Sequence, residues 1–180
     1  MRDTHRVDAA AHYQHLISLG RDEFLAAAAP AALVRYRSRE LGLESADPTL
    51  TLDQDADYET VEETLPHGKL LEPDDAALEV YPLLKKPGAS FADRITIGRT
   101  TNNDIVVADH SVSRLHAYVK LRGAGWVVAD AGSKNGSWLH GEALEPRRER
   151  SLPSRVVLRL GDVDLTFYVA SDLFAALGGT

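Results

Sequence analysis

The sequence predicts a mainly β protein, a sandwich or barrel of short antiparallel strands, with helices towards both ends of the chain. The chain has 180 residues, enough for one domain with a substantial core plus an extension. From Ala76 onward, short apolar runs are separated by turns rich in Pro, Gly, Asn, Asp and Ser. Strand candidates at this spacing are typical of an all-β sandwich or barrel. They are residues 77–83, 93–97, 104–107, 115–121, 126–130, 137–140, 155–160 and 163–169.

The region before these strands has helical patterns. Residues 5–19 carry an apolar stripe at helical spacing, and Gly20 follows as a stop. The Ala-rich residues 21–29 are also predicted to be helical, and Pro30 ends the run. Residues 31–37 fit either a strand or a further helical turn, because their apolar period does not distinguish the two.

Three parts are expected along the chain. They are a helical N-terminal extension (1–44), an acidic linker (45–75) and a β-sandwich domain with a short terminal helix (76–180). The segment from Glu40 to Glu79 contains 13 Asp or Glu residues and one Lys, a balance of −12, whereas the rest of the chain has a balance of +5. High acidity with few large apolar residues favours a linker. Such a segment also repels nucleic acid, so we expect no nucleic-acid partner.

The composition excludes several kinds of site. The chain has no cysteine, which excludes a disulfide framework, a thiolate metal site and a cysteine nucleophile. No apolar run approaches the ~20 residues that span a bilayer. The N-terminus carries charges and histidines where a signal peptide has an apolar core. We therefore expect a cytoplasmic protein with no membrane partner and no cofactor; the sequence does not determine its oligomeric state.

Three short motifs occur in order between Ile95 and Gly141. They are Gly98-Arg99, Ser113-Arg114-Leu115-His116 and Asn135-Gly136. Each follows or interrupts a strand candidate, so all three are expected on loops at strand ends. Together they offer two guanidinium groups, a hydroxyl and a carboxamide. This set is rich in donors and poor in acceptors, and it suits a doubly charged oxyanion.

The ordered triplet resembles the forkhead-associated (FHA) domain, a module that reads phosphothreonine. Asp104-Ile105 and Asp130-x-Gly132-Ser133 also match the pattern of that family, and the resemblance covers about residues 77–170. It implies an FHA-like β-sandwich. It also implies a phosphothreonine-dependent interaction module whose partners are phosphothreonine-containing proteins or Ser/Thr protein kinases.

The first two motifs are predicted to hold the phosphate. Arg99 follows a strand and offers the rigid fork that suits a tetrahedral oxyanion, although a surface arginine paired with Asp104 or another acid is the alternative. The hydroxyl and the backbone N–H of Ser113 are both expected to donate to one phosphate oxygen, unless this serine only caps a turn. Arg114 would add a second cation at the rim or would simply be solvated.

The third motif is predicted to hold the peptide. Asn-Gly alone is a turn signal, but the resemblance implies that Asn135 holds the main chain of the peptide next to its phosphothreonine. Lys134 stands where the family often has a small hydroxyl residue, so here it would reach phosphate as a point charge. Ser133 would then supply the hydroxyl.

Gly98, His116 and Gly136 are expected to support the site rather than touch the ligand. The resemblance implies a buried His116 whose ring nitrogens hold the binding loops by hydrogen bonds. A catalytic or metal-binding role for this histidine is disfavoured, because no HExxH or HxxEH spacing accompanies it. We therefore predict no metal site and no catalytic residue.

Two other functions are alternatives to phosphopeptide binding, and one modification is predicted. A hydrolase using Ser113 and His116 lacks a G-x-S-x-G elbow and an acid placed to orient the histidine. A structural scaffold with an FHA-like fold that no longer reads phosphate is the main alternative. Thr60 and Thr64 lie among acids in the acidic segment and are predicted as possible phosphorylation sites, unless the segment is only a spacer.

Overall fold

The structure of the protein is a computed structural model, which describes residues 9–38 and 76–179. Its helices are α1 Ala9–Ser18, α2 Arg21–Ala27 and α3 Ala170–Ala176. Its strands are β1 Ala31–Ser38, β2 Ala76–Pro82, β3 Ile95–Gly98, β4 Ile105–Val106, β5 Ala117–Arg122, β6 Gly125–Asp130, β7 Ser137–Leu139, β8 Glu142–Ala143, β9 Arg150–Ser151, β10 Val156–Leu160 and β11 Val163–Val169. None of these helices is long and apolar enough to cross a membrane, a finding that covers only the described residues.

The strands form two sheets, which confirms the predicted β-sandwich class. The larger sheet has the strand order β2-β1-β11-β10-β7-β8, and the smaller one has the order β4-β3-β5-β6-β9. All the strand pairs whose register is described are antiparallel except β3 and β4, which run parallel. The prediction of short antiparallel strands is thus confirmed for every described pair except this edge, where the chain crosses over between β3 and β4 instead of forming a hairpin.

The main core lies between the two sheets. It joins residues of the larger sheet, such as Leu158 and Phe167, to residues of the smaller sheet, such as Ile97 and Val119, and all four are fully buried. The rings of Trp126 and Phe167 meet edge to face across this core, with their centroids 6.0 Å apart. Burial of apolar surface on this scale is the dominant favourable contribution to folding.

The segment whose apolar spacing fits either a strand or a helical turn forms strand β1. It pairs antiparallel with β11. Ala31 and Leu33 belong to the core between the sheets, whereas Ala32 and Val34 belong to a second apolar cluster with α1, α2 and α3. Because both faces are covered, the strand reads as a continuous apolar run and not as an alternating one.

The helices cover the outer face of β1. Phe24 of α2 is fully buried there, and its ring meets those of Tyr13 in α1 and Phe174 in α3 at 5.9 and 5.2 Å. The N-terminal and C-terminal ends of the described chain therefore share one apolar cluster. The predicted helices at both ends are confirmed.

The strand order also bears on the predicted three-part division of the chain. β1 and β2 are neighbours in the larger sheet, so residues 39–75 connect two strands of one sheet. The predicted helical extension thus contributes strand β1 to the sandwich. Its apolar spacing alone did not distinguish a strand from a helical turn. Thr60, Thr64 and most of the acidic segment lie outside the described residues, and the boundaries at 44 and 75 stay predictions.

The register of the smaller sheet brings the three sequence motifs together. Ile97 of β3 is paired with Ala117 of β5, and Ala117 is paired in turn with Asp130 of β6. The chain leaves β3, enters β5 and leaves β6 at these positions, so all three transitions fall at one end of the sheet. The loops that carry the motifs therefore start side by side.

Candidate functional site

The three loops form an open cleft at that end of the smaller sheet, with a volume of about 910 Å³. Arginine, lysine, serine, threonine, asparagine and histidine side chains line most of it, and among the described residues no Asp or Glu does so. The lining residues are Arg99, Thr100, Asn102, His110, Ser111, Val112, Ser113, Arg114, Leu115, Gly132, Lys134 and Asn135.

Gly98 lets the end of β3 lie directly against the second loop. A Cβ atom at this position would lie 2.2 Å from the carbonyl oxygen of Arg114 and 2.7 Å from the Nδ2 atom of Asn103. Both distances are too short for any side chain, so the close approach itself requires glycine. The structure thus gives Gly98 a steric role at the base of the cleft.

Arg99 is held at two points, and its guanidinium end faces the cleft. Its backbone N–H donates to the carbonyl oxygen of Ser113 (2.9 Å), and its Nε–H donates to the carbonyl oxygen of Val112 (3.1 Å). Its side chain makes no ion pair with any described residue, so the alternative pairing with Asp104 does not occur. The two terminal nitrogens remain to donate to a ligand.

Asp104 supports the loops from inside. Its carboxylate accepts hydrogen bonds from the backbone N–H of Lys86 (2.8 Å), the backbone N–H of Thr96 (2.8 Å) and the Lys85 ammonium group (2.8 Å). Burial alone would raise the pKa of Asp104, but the bond from Lys85 and the bonds from Thr96 and Lys86 together lower it. The charged carboxylate therefore belongs to the scaffold.

Sequence reasoning missed Asn103. Its side chain is 2% exposed, and its Nδ2 donates to the carbonyl oxygens of Arg114 (2.6 Å) and Thr100 (2.8 Å). This amide ties the first loop to the second. The available signal was its place directly before Asp104-Ile105, a pair that matches the family pattern, but an Asn-Asn-Asp run reads first as a turn.

His116 cross-links the second and third loops. The ring is fully buried, its Nδ1 accepts from the backbone N–H of Ser113 (2.9 Å), and its Nε2 lies 2.9 Å from the carbonyl oxygen of Gly136. Because an N–H group donates to Nδ1, the ring proton resides on Nε2 and is donated to Gly136. Burial lowers the pKa of His116, although the Gly136 bond and the nearby Asp130 oppose this shift. The ring is therefore neutral in the folded state.

Of the two donor groups that Ser113 was predicted to offer, only the hydroxyl is free. Its backbone N–H is already bonded to His116, so the expected donation of this N–H to a phosphate oxygen is wrong. Its Oγ accepts from the backbone N–H of Lys134 (2.9 Å). This bond uses a lone pair and leaves the hydroxyl proton available, so the side chain of Ser113 is still a donor at the cleft.

Ser133 faces inward, which the sequence did not anticipate. Its hydroxyl donates to Asp130 (2.6 Å) and accepts from the backbone N–H of Gly136 (2.9 Å). Its only hydroxyl proton is thus engaged, and the prediction that Ser133 supplies a hydroxyl to the ligand is wrong on this geometry. Ser133 instead holds the third loop in shape.

Asp130 organises that third loop. Its Oδ1 accepts from the backbone N–H groups of Gly132 (2.7 Å) and Ser133 (2.9 Å), and its Oδ2 accepts from the hydroxyls of Ser133 and Ser137. Burial would raise the pKa of Asp130, but these four bonds together lower it. The carboxylate is charged and fully committed to the loop.

Asn135 is exposed at the cleft and anchored on one side. Its Nδ2 donates to the carbonyl oxygen of Ser111 (2.8 Å), and its carboxamide oxygen accepts no hydrogen bond from the described residues. Ser111 is itself fixed, because Asp109 accepts from its N–H and its hydroxyl, and Arg35 of β1 contacts Asp109 at 3.4 Å. The amide is thus presented with one acceptor and one donor proton unused.

The cations of the cleft are uncompensated. Arg99, Arg114 and Lys134 line it, and within the described residues none of them has a carboxylate partner. The basic side chains that do have one are Arg35, Lys85, Arg94, Lys120, Arg122, Arg148, Arg150, Arg155 and Arg159. Three basic side chains without a described carboxylate partner therefore line this one cleft.

The remaining chemistry of the described residues is limited. No group of three or more His, Asp or Glu side chains within residues 9–38 and 76–179 is placed to hold a metal ion. The cleft is therefore a set of donors and cations supported from inside by two buried carboxylates, Asp104 and Asp130.

Comparison with known proteins agrees with the motifs. Residues 95–161 match the family model of the FHA domain, which confirms the predicted resemblance. The chain is 33% identical over 78 residues to an FHA domain-containing protein of Arabidopsis thaliana, covering 43% of this chain and 19% of that protein. It is 40% identical over 64 residues to the FHA domain-containing protein FhaB of Mycobacterium tuberculosis, covering 32% of this chain and 41% of FhaB. The chain thus spans less than half the length of either relative.

Two solved structures give similar matches. Mycobacterium tuberculosis EmbR in complex with a low-affinity phosphopeptide has a TM-score of 0.43 and 31% identity, over 51% of this chain and 22% of EmbR. The FHA domain of an Arabidopsis thaliana hypothetical protein has a TM-score of 0.45 and 22% identity, over 78% of this chain and 86% of that domain.

Gly98→Ala is expected to destabilise the protein by about 1–3 kcal/mol, because the new Cβ would press on the Arg114 carbonyl and the Asn103 amide. Thermal unfolding measures the change. Gly125→Ala is the matched control, since a Cβ at Gly125 would meet no atom within 4 Å. Equal melting temperatures for the two variants would show that the close approach at Gly98 is not required.

His116→Ala is expected to lower stability by about 1–3 kcal/mol, since the Ser113 N–H and the Gly136 carbonyl would lose their partner. Chemical denaturation at neutral pH measures this. His110→Ala serves as the control, because the His110 side chain is 96% exposed. Wild-type stability in the His116 variant would contradict the cross-link.

The same residue predicts a pH dependence. The pKa of His116 is lower in the folded state than its ordinary 6.5, so the unfolded chain binds a proton first as the pH falls. Its contribution to stability is complete above about pH 6.5 and is lost as the pH falls through the folded-state pKa. This loss should be absent in His116→Ala and present in His110→Ala.

Proposed function

We propose that the cleft binds phosphothreonine in partner proteins and that the chain acts as a phospho-dependent interaction module in Ser/Thr kinase signalling. The observation that carries this proposal is the convergence of three unpaired cations, a serine hydroxyl and an asparagine amide on one cleft that no described carboxylate lines. The family match at residues 95–161 supports the same reading. The partners would be phosphothreonine-containing proteins or the kinases themselves, and the proposed location is the cytoplasm.

Arg99 would be the main phosphate ligand. Because Nε is held by the Val112 carbonyl, the side chain is fixed before a ligand arrives, and its two terminal nitrogens can donate together. The Ser113 hydroxyl would donate to the phosphate from the neighbouring loop. Lys134 and Arg114 would add positive charge at the rim, where an exposed ammonium or guanidinium group can follow the phosphate.

Asn135 would bind the main chain of the ligand. A peptide backbone offers one donor and one acceptor per residue, and the amide of Asn135 retains one acceptor oxygen and one donor proton. The bond from Nδ2 to Ser111 sets the plane of the amide. This contact would fix the direction of the peptide independently of its sequence.

The affinity of such a site would depend on phosphorylation. Phosphothreonine carries about −1.5 to −2 charges at neutral pH. Hydrogen bonds to charged groups contribute about 1.5–3 kcal/mol each, so a phosphate held by two or three of them differs from a bare threonine by several orders of magnitude in affinity.

The hydrogen bonds of His116 favour a binding module over a hydrolase. A serine nucleophile needs a base within hydrogen-bond reach of its Oγ. Here the Nδ1 of His116 accepts from the backbone N–H of Ser113 and not from its hydroxyl, and Nε2 is bonded to Gly136. We therefore propose that the protein is not an enzyme and that its histidine is structural.

Arg99→Ala is expected to weaken binding of a phosphothreonine peptide by at least about tenfold, since one charge-assisted hydrogen bond contributes about 1.5–3 kcal/mol. Calorimetric titration of the wild type with phosphorylated and unphosphorylated forms of the peptide gives the reference. Arg148→Ala is the control, because that exposed arginine is paired with Glu145 outside the cleft.

The outcomes separate the alternatives. If Arg99→Ala binds the phosphopeptide with unchanged affinity and still requires the phosphate, then the phosphate does not bind at Arg99. A wild type that binds both peptide forms equally would favour the scaffold that no longer reads phosphate.

Phosphorylated Thr60 or Thr64 would be an intramolecular ligand of the cleft. About a dozen residues separate Thr64 from β2, each reaching ~3.3 Å when extended. A tethered ligand often has an effective concentration in the millimolar range, so even a weak site would be occupied. Phosphorylation of either threonine should therefore reduce binding of an external phosphopeptide. The double variant Thr60→Val, Thr64→Val should escape this effect; undiminished affinity in the phosphorylated chain would leave the segment as a spacer.

A further inference from the structure

Arg147 belongs to none of the motifs, yet its guanidinium lies close to Gly132, which lines the cleft. It is in the connection between β8 and β9, and its backbone N–H donates to the carbonyl oxygen of Asp130 (2.7 Å). Pro146 also forms an isolated bridge with Asp130. The connection is thus pinned to the residue that organises the third loop, and its position relative to the cleft is fixed.

The guanidinium of Arg147 lies near the side of Gly132 on which other residues carry a side chain. Its Nη2 and Nε atoms lie 3.9 and 4.0 Å from the position that a Cβ would take on Gly132, which lines the cleft. Both would be ordinary contact distances for a Cβ atom, so the guanidinium lies beyond the space that a methyl group on Gly132 would fill. Gly132 lines the same cleft as Arg99, Arg114 and Lys134, so Arg147 would add a fourth cation beside it.

Arg147 also differs from its basic neighbours in charge pairing. Arg148 is paired with Glu145 and Arg150 with Glu142, both at 2.8 Å. Arg147 has no carboxylate partner within the described residues. Of these three arginines, only Arg147, which lies beside the cleft, has a charge that is free to pair with a ligand.

The backbone of Arg147 adds an independent observation. Its φ is +65°, in the left-handed region that favours glycine, and a side chain there carries a steric cost. A residue kept in such a conformation is held by its surroundings, here by the bond to Asp130. The side chain of Arg147 therefore leaves the loop in a direction that the backbone fixes.

We propose that Arg147 selects ligands with an acidic residue close to the phosphothreonine, on the side of the peptide that passes over Gly132. The inference rests on the proposed function, since it needs a phosphopeptide in the cleft. Asp or Glu in the ligand would pair with the guanidinium of Arg147 as Glu145 pairs with Arg148. An exposed ion pair of this kind corresponds to a preference of about two- to fivefold.

The test uses a set of phosphothreonine peptides in which one Glu is moved through the positions flanking the phosphothreonine in an otherwise uncharged background. Affinities are measured for the wild type, Arg147→Gln and Arg148→Gln. These two variants make the same change in charge at adjacent residues. Arg147→Gly is added because glycine fits the positive φ, so its fold should be at least as stable as the wild type.

The expected result is a wild-type preference for Glu at one position or two adjacent ones. It should be lost in Arg147→Gln and Arg147→Gly and kept in Arg148→Gln. The inference would be overturned if the wild type showed no preference for Glu at any position, or if the preference survived in both Arg147 variants. In either case the proposed function would still hold, provided that binding depended on the phosphate. If the wild type does not distinguish phosphorylated from unphosphorylated peptides, both fail together.

Discussion

One imidazole ring joins the two loops that form most of the cleft. His116 accepts a hydrogen bond at Nδ1 from the backbone N–H of Ser113 and donates one from Nε2 to the backbone carbonyl of Gly136, so two different ring atoms connect the two loops. The ring is fully buried, so neither bond competes with water. The hydroxyl of Ser113 and the amide of Asn135 keep their separation because this link holds the loops that carry them.

The buried carboxylates perform the same task one layer deeper. Asp104 and Asp130 each accept at least four hydrogen bonds, from backbone N–H groups, hydroxyls or the Lys85 ammonium, and both remain charged despite burial. Each charged carboxylate is held by hydrogen bonds from inside the protein, and neither lines the cleft. The loops thus gain rigidity from negative charge without presenting it to the ligand, and the cations at the rim stay uncompensated.

The spacing of residue types in a sequence predicts only those structural features that depend on neighbouring residues. The longer strands and the three motif loops could be predicted, since alternation and turn residues are local signals. β8 and β9 could not, because Glu142–Ala143 and Arg150–Ser151 include no large apolar residue, unlike the equally short β4. At the cleft, the residue types could be predicted, but not which of their donor groups are free to bind a ligand. Ser113 and Ser133 look alike in sequence, and only the structure shows that the Ser133 hydroxyl donates its hydrogen bond to Asp130. Arg147 was missed because its link to Gly132 joins residues far apart in the chain.

The arrangement of donors explains why phosphate, and not any anion, would suit this cleft. Exposed cations are well hydrated, so a ligand must offer more than charge to displace water from them. A carboxylate presents two oxygens in one plane and about one charge. A phosphate monoester presents three oxygens in a tetrahedral array and nearly twice that charge, so it can engage Arg99, Ser113 and a rim cation at once. Discrimination would then come from the number of donors satisfied together, which depends on the loops that His116 connects.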